Sequence, residues 1–307
     1  MGKYIIKRIL MGIITIFVLI TVTFFLTRWM PGNPFQSNEI SEGVLQEMEE
    51  EYGLHDPVYI QYVNYMDHLL HGDLGVSFKK PGVAVNEVIR RGMPATLSLG
   101  LLALLLALVI GIPFGIGLAM AKTKKMEHLL RLGTSLGVGI PNFVTAIILL
   151  LIFGVWLKWL PIAGLTRPTH YILPIISLAV YPASMIARYM EAAFLDTINQ
   201  DYILMAKTKK LPKKYIIRRH ILKNAMIPVI NCLGPMIAFL LTGSFVVESI
   251  FTIPGLGREF VNSIANRDYT LIMGLVIFMG TIVIIVQLLI DIICSFLDPR
   301  IRLSNYD

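Results

Sequence analysis

Charge is what this 307-residue chain has least of. Asp, Glu, Lys and Arg make up 15% of it and hydrophobic residues 55%, where an average soluble protein carries roughly 25% charged residues. With a mean hydropathy of +0.70, too few polar side chains remain to cover a globule. That excludes a soluble enzyme, a nucleic-acid-binding domain and a disordered chain. Cysteine is nearly absent. Only Cys232 and Cys294 occur, both inside apolar runs, so no disulfide framework is indicated. The patterns of catalysis are missing too. There is no G-x-x-x-x-G-K-[ST] loop to grip ATP phosphates and no H-E-x-x-H zinc helix. Gly133-Thr134-Ser135-Leu136-Gly137 fits the G-x-S-x-G nucleophile pattern. It lies in an apolar run with no strand before it, where small-residue packing is the better reading. His68 and His71, three apart, have no third ligand nearby for a metal.

What remains is an all-α polytopic membrane protein. A bilayer core of about 30 Å takes roughly 20 helical residues to cross. Six stretches are long and apolar enough: 9–30, 95–121, 129–157, 172–194, 226–249 and 271–297. The first follows Lys3, Lys7 and Arg8 like a signal peptide, but no small-residue cleavage site follows, so a retained span is expected. Prolines 113, 141, 174, 182, 228 and 235 interrupt the spans. They fit close packing and a moving pathway equally well. Gly111/Gly115 and Gly133/Gly137 stand at the spacing of helix-packing glycines.

The charge is sorted along the chain. Net charge is +7 overall, but residues 31–93 hold ten acids and four Lys/Arg, a balance of −6. Placing the N-terminus in the cytoplasm leaves eighteen Lys/Arg inside and nine outside, as the positive-inside rule favours. Trp29, Trp156 and Trp159 then fall near outer span ends, where an aromatic belt belongs. The expectation is a bacterial inner-membrane protein with both termini cytoplasmic. Its parts are a tail and first span (1–30), an extracytoplasmic insert (31–93), a five-helix core (94–298) and a cytoplasmic tail (299–307). The insert predicts two short helices, Ser41–Tyr52 and residues 58–71, and a Gly-rich return at Gly72-Asp73-Leu74-Gly75.

The core contains a long cytoplasmic loop, 188–223, divided by Leu211-Pro212. Its second half, with Lys213, Lys214, Arg218, Arg219 and Lys223 around Ile217 and Ile221, predicts an interfacial amphipathic helix. Its first half places Tyr202, Met205 and Ala206 on one helical face, beside Ile203 and Leu204. A solvated loop has no reason to present that patch, so docking into a partner's groove is favoured slightly over membrane burial. Asp291 is the one clear ionisable residue within a span, with Arg188 and Glu191 near an inner end. It is expected to face the protein interior, bonded by Gln287 or by a partner subunit.

Several ordered segments together resemble the inner-membrane permease subunit of oligopeptide/dipeptide ABC importers, the Opp/Dpp type, along nearly the whole chain. They are Arg28-Trp29-Met30-Pro31-Gly32-Asn33-Pro34-Phe35; Tyr52-Gly53-Leu54 with Gly72–Gly75 and Ser77; Pro94-Ala95-Thr96-Leu97; Ile140-Pro141-Asn142-Phe143; Arg188 to His220; Glu248-Ser249-Ile250-Phe251 with Pro254-Gly255-Leu256-Gly257; Arg267-Asp268-Tyr269; and Asp298-Pro299-Arg300-Ile301-Arg302. The resemblance implies a B-like subunit that carries no cofactor of its own. ATP and Mg would sit on two partner ATPases, joined by a homologous second permease and an extracytoplasmic peptide-binding protein. It maps the family's coupling segment onto Asp201, Tyr202, Ala206, Lys207 and Leu211, then His220 and Asn224. Met205 of the apolar face and Lys210 complete the candidate ATPase-coupling residues. Lys210 departs from the family, which usually has glycine there, and Thr270 stands where proline is frequent. A nickel-type importer of the same architecture, or a proton-coupled secondary transporter relying on Asp291, are the alternatives.

Overall fold

The computed structural model describes residues 2–29, 56–80, 82–243 and 245–297. The helix expected at Ser41–Tyr52 and the tail 299–307 lie outside these. Among the described residues the regular secondary structure is helical, apart from one antiparallel bridge between Val76 and Ala84. In chain order the helices are α1 (Gly2–Trp29), α2 (Val58–Leu70), α3 (Val85–Ala119), α4 (Lys124–Gly139) and α5 (Asn142–Leu149). A π-helical stretch, Leu150–Trp156, continues α5. Then come α6 (Ile172–Ile198), α7 (Asp201–Thr208) and α8 (Lys213–Ile216), with a π-turn joining α8 to α9 (Leu222–Gly243). The last three are α10 (Phe245–Ile250), α11 (Leu256–Asn266) and α12 (Tyr269–Leu297).

Five helices are long and apolar enough to cross a membrane, and α4 with α5 supplies a sixth crossing if the bent pair counts as one span. Helix satisfies every backbone group internally, so even the β-branched runs of α1 and α12 adopt it. The stretch 129–157 is not the continuous span the hydropathy suggests. It breaks at Ile140-Pro141, and its two halves meet at 104°. Ile140 is extended (φ −91°, ψ 121°), as a residue before proline prefers. The other span prolines do not break their helices. Pro113 lies inside α3, Pro182 inside α6, and Pro228 and Pro235 inside α9.

Helix α6 is the centre of the bundle. Its Leu178, Ile186, Met190 and Phe194 are fully buried. Against it lies α3, with glycines 111 and 115 facing Ala183 and Ala187. A Cβ on Gly111 would come within 2.6 Å of the Ala183 carbonyl oxygen, and one on Gly115 within 2.4 Å of that of Ala187. The small residues therefore set the interaxial distance. Gly137 of the G-x-S-x-G stretch likewise faces Ser184, and Ser135 accepts a hydrogen bond from Arg188 at 3.0 Å. These are helix-packing contacts.

One end of the bundle carries α2, α10 and α11, the other α7 and α8. Helix α2 docks on α1 through the rings of Tyr62 and Tyr65 around Phe24 and a 2.7 Å hydrogen bond between the Tyr62 and Thr21 hydroxyls. His68 bonds Asp73 at 3.2 Å and His71 the Asp67 carbonyl at 2.8 Å. The Gly72–Gly75 return is bonded to Asn86 at the start of α3, and Ser77-Phe78 after it are tied to the start of α12. Asp268, 1% exposed, caps that helix by accepting from the Leu271 N–H at 3.2 Å. It also accepts from the Phe78 N–H at 3.1 Å and from the Ser77 hydroxyl. Thr270 stands in the first turn of α12, where proline also fits.

Candidate functional site

The loop singled out by its misplaced apolar patch forms α7, eight residues long. Its faces divide differently from the expected Tyr202/Met205/Ala206 grouping. Ile203 (0% exposed) and Ala206 (6%) turn into the chain and join Phe194, Ile216 and Ile221 in a small core. The exposed apolar residues are Leu204 (62%), Met205 (60%) and Tyr202 (39%). Ala206 is thus an anchor, and Leu204 takes its place on the presented surface. The helical period explains the shift, because the inward face centres between positions 203 and 206. Tyr202 is held in place by the Asn224 amide, which donates to its hydroxyl at 2.6 Å. Asp201 is exposed in the first turn, and Lys207 in the last.

The helix ends in a turn built for glycine. Lys210 has φ +54°. Its N–H donates to the Lys207 carbonyl at 2.9 Å, and the Leu211 N–H donates to that of Ala206 at 3.4 Å. This is the paired bonding of a Schellman cap, with Leu211 packed back onto the small core. The second half of the loop is not a free interfacial helix. Ile216 (5%) and Ile221 (1%) are covered by α7 and the end of α6, so its apolar side meets protein instead of lipid.

At the opposite end stands a carboxylate that sequence reasoning passed over. Glu248 is 0% exposed. It accepts from the Thr96 hydroxyl at 2.9 Å and the Arg258 N–H at 3.1 Å, while Thr96 accepts from the Leu256 N–H at 2.8 Å. Gly255 and Gly257 make room. A Cβ on either would lie 2.4 or 2.8 Å from Glu248 Oε2. Three separate sequence stretches, around Thr96, Glu248 and Gly255, thereby close into one clamp over the α10–α11 turn. Nearby, Lys80 pairs with Glu259 of α11 at 2.8 Å.

Asp291 faces inward and bonds Gln287 at 3.2 Å, as its helical spacing suggests. Its main partner is Arg8 of α1, 2.9 Å away. In the sequence Arg8 bears only on orientation, because nothing there pairs the first helix with the last.

Between α6 and α9 lies a cleft of about 560 Å³, walled by Tyr181, Met185 and Tyr189 on one side and Asn231, Pro235 and Met236 on the other. A second, of about 400 Å³, adjoins it through Tyr181 and Phe239 and reaches the bend at Ile140-Pro141. The exposed stripe of α9 here is Asn224, Pro228, Asn231 and Pro235. That composition contrasts with α1, whose exposed face is Ile6, Leu10, Ile13 and Phe17. An Ile/Leu/Phe stripe suits lipid, while an amide-and-proline stripe suits water or protein.

Comparison with known proteins gives the same architecture. Residues 111–303 match the family described as binding-protein-dependent transport system inner membrane component, and residues 1–100 match its N-terminal counterpart. The chain is 41% identical to the dipeptide transport system permease protein DppB of Bacillus subtilis, over 99% of each chain. It is 39% identical to the oligopeptide transport system permease protein OppB of Haemophilus influenzae, over 98% of this chain and 100% of that one. Among solved structures, an inward-facing MetNI methionine ABC transporter chain superposes with a TM-score of 0.57 at 19% identity, covering 69% of this chain and 96% of that one. At that identity the likeness concerns the fold alone.

Proposed function

This chain belongs to the binding-protein-dependent transport system inner membrane component family, and from that membership we propose that it is one permease subunit of an ATP-driven peptide importer. The observation that carries the cargo is full-length identity to permeases named for dipeptides and oligopeptides. The chain forms half of a translocation pathway, and a homologous second permease forms the other half. Of two cytoplasmic ATPases, one binds α7 through Tyr202, Leu204 and Met205, while Ile203 and Ala206 fix the helix to the bundle. Exposed apolar anchors on a short, internally braced helix are what a groove in a partner accepts. Asp201, Lys207, Lys210 and Leu211 set the ends of that helix. An extracytoplasmic binding protein delivers peptide to the end that carries α2 and α11. The termini face the cytoplasm, in keeping with the excess of Lys/Arg on that side.

The experiment is to purify the tagged chain from its own membranes and reconstitute what comes with it. Two ATPases and a second permease should co-purify, and peptide uptake should require ATP and the binding protein. Uptake by the chain alone, driven by a proton gradient, would overturn the proposal.

A further inference from the structure

The two adjoining clefts share one chemical trait. Among the described residues, no charged side chain lines either of them. Their polar groups are the amides of Asn231 and Asn142 and the hydroxyls of Tyr181 and Tyr189. The rest is Met, Phe, Val, Pro and Ile, with Gly139 and the thiol of Cys232. On α9 the lining runs from Pro228 to Phe239, about 16 Å at 1.5 Å per residue. Pro235, having no N–H, cannot donate to the carbonyl of Asn231 four residues before it, so backbone acceptor capacity opens on the same wall. An amide both donates and accepts, as a peptide group does.

Resting on the peptide-importer reading, we propose that this cleft is a neutral track. Asn231, Tyr181 and Tyr189 meet the backbone amides of a passing peptide, and the uncharged wall leaves its side chains unsorted by charge. The occupant is a peptide and not a lipid tail, because exposed amides and prolines replace the aliphatic stripe seen on α1. The consequence concerns specificity. Discrimination between acidic and basic peptides cannot arise in this wall, and a charge placed there creates it.

The test uses the complete complex in proteoliposomes, with ATP, its binding protein and two peptides of equal length, one with a central Lys and one with a central Glu. Uptake by each variant is divided by that of wild type for the same peptide, which cancels the binding protein's own preference. Asn231→Asp should lower the Glu-peptide value about tenfold relative to the Lys-peptide value, and Asn231→Lys should reverse the bias. Should the 231 variants fail to assemble, Tyr189→Glu and Tyr189→Lys, at a position 41% exposed, give the same reading. Equal effects on both peptides would overturn the track. So would loss of assembly at both positions, which would set the cleft against the second permease instead. Failure of the wild-type complex to take up either peptide would overturn the importer reading itself, and this one with it.

Discussion

Lys210 occupies a left-handed backbone well that opposes any Cβ, at a cost of roughly 1–2 kcal/mol. Lys210→Gly should therefore tighten the α7 cap by about 1 kcal/mol, less the entropy glycine adds to the unfolded chain. Slower amide exchange at Lys210 and Leu211 would register it, and faster exchange would contradict it. Glu248 carries the opposite risk, because its surroundings are built for a carboxylate. Glu248→Gln turns an amide NH₂ towards at least one N–H or O–H donor and should cost about 1–3 kcal/mol. A lower thermal midpoint in detergent would report that loss, and Glu248→Leu should be worse because the Arg258 N–H would lose its acceptor. These two residues differ in how readable they are. A family position normally held by glycine points to a left-handed turn, so the strain at Lys210 could be read directly. An acid one residue from the end of the 226–249 stretch reads as a span terminus at the water interface until Thr96, 152 residues away, arrives to bond it.

At the scale of helices, hydropathy locates the crossings but not their bends. Pro141 ends a helix where Pro113, Pro182, Pro228 and Pro235 do not. Gly139-Ile140-Pro141 repeats the Gly111-Ile112-Pro113 of an unbroken helix, so the legible difference is the turn-former Asn142 after Pro141, where Phe114, Ala183, Val229 and Met236 follow the others. The division of faces on α7 is less legible, since a short helix with five neighbouring apolar residues has no unique inward side until its floor is known. Two helix pairs invite tests. Gly115→Leu drives a side chain into the Ala187 backbone and should cost about 1–3 kcal/mol, lowering the thermal midpoint, while Gly117→Leu, which meets nothing within 4 Å, should not. Arg8 and Asp291 join α1 to α12. Arg8→Met or Asp291→Leu alone should cost about 1 kcal/mol, modest because the Arg8 side chain is 39% exposed. The double variant should cost less than the sum of the two. Asp291→Asn should keep ATP-driven uptake and its indifference to a protonophore. Abolished uptake would instead make this residue part of a proton path.

For the whole molecule, the proposed docking surface and the proposed translocation wall sit on the same structural unit. Leu204→Glu with Met205→Glu should abolish ATPase co-purification and uptake while the chain stays in the membrane at normal level. Ala206→Glu should instead unfold the loop locally, seen as protease sensitivity, because its site is 6% exposed. On the proposed coupling, the glycine seam governs how the bundle would respond to an ATPase pushing on α7. With Gly111 and Gly115 seated on Ala183 and Ala187, α3 and α6 cannot slide or part without leaving a gap, so the pair behaves as a single stiff beam. Helix α6 alone spans 27 residues, about 40 Å at 1.5 Å per residue. The small core under α7 joins that beam at its tip, through Ile116 and Ala119 of α3 and Phe194 and Ile198 of α6. A displacement of about 3 Å at that tip turns a 40 Å beam, pivoted about 20 Å away, by only about 9°. Pivoted near its middle, the beam swings its far end the opposite way by a similar distance. On the proposed coupling through α7, two alanines and two glycines would make the chain a see-saw, closing one mouth of the cleft as it opens the other.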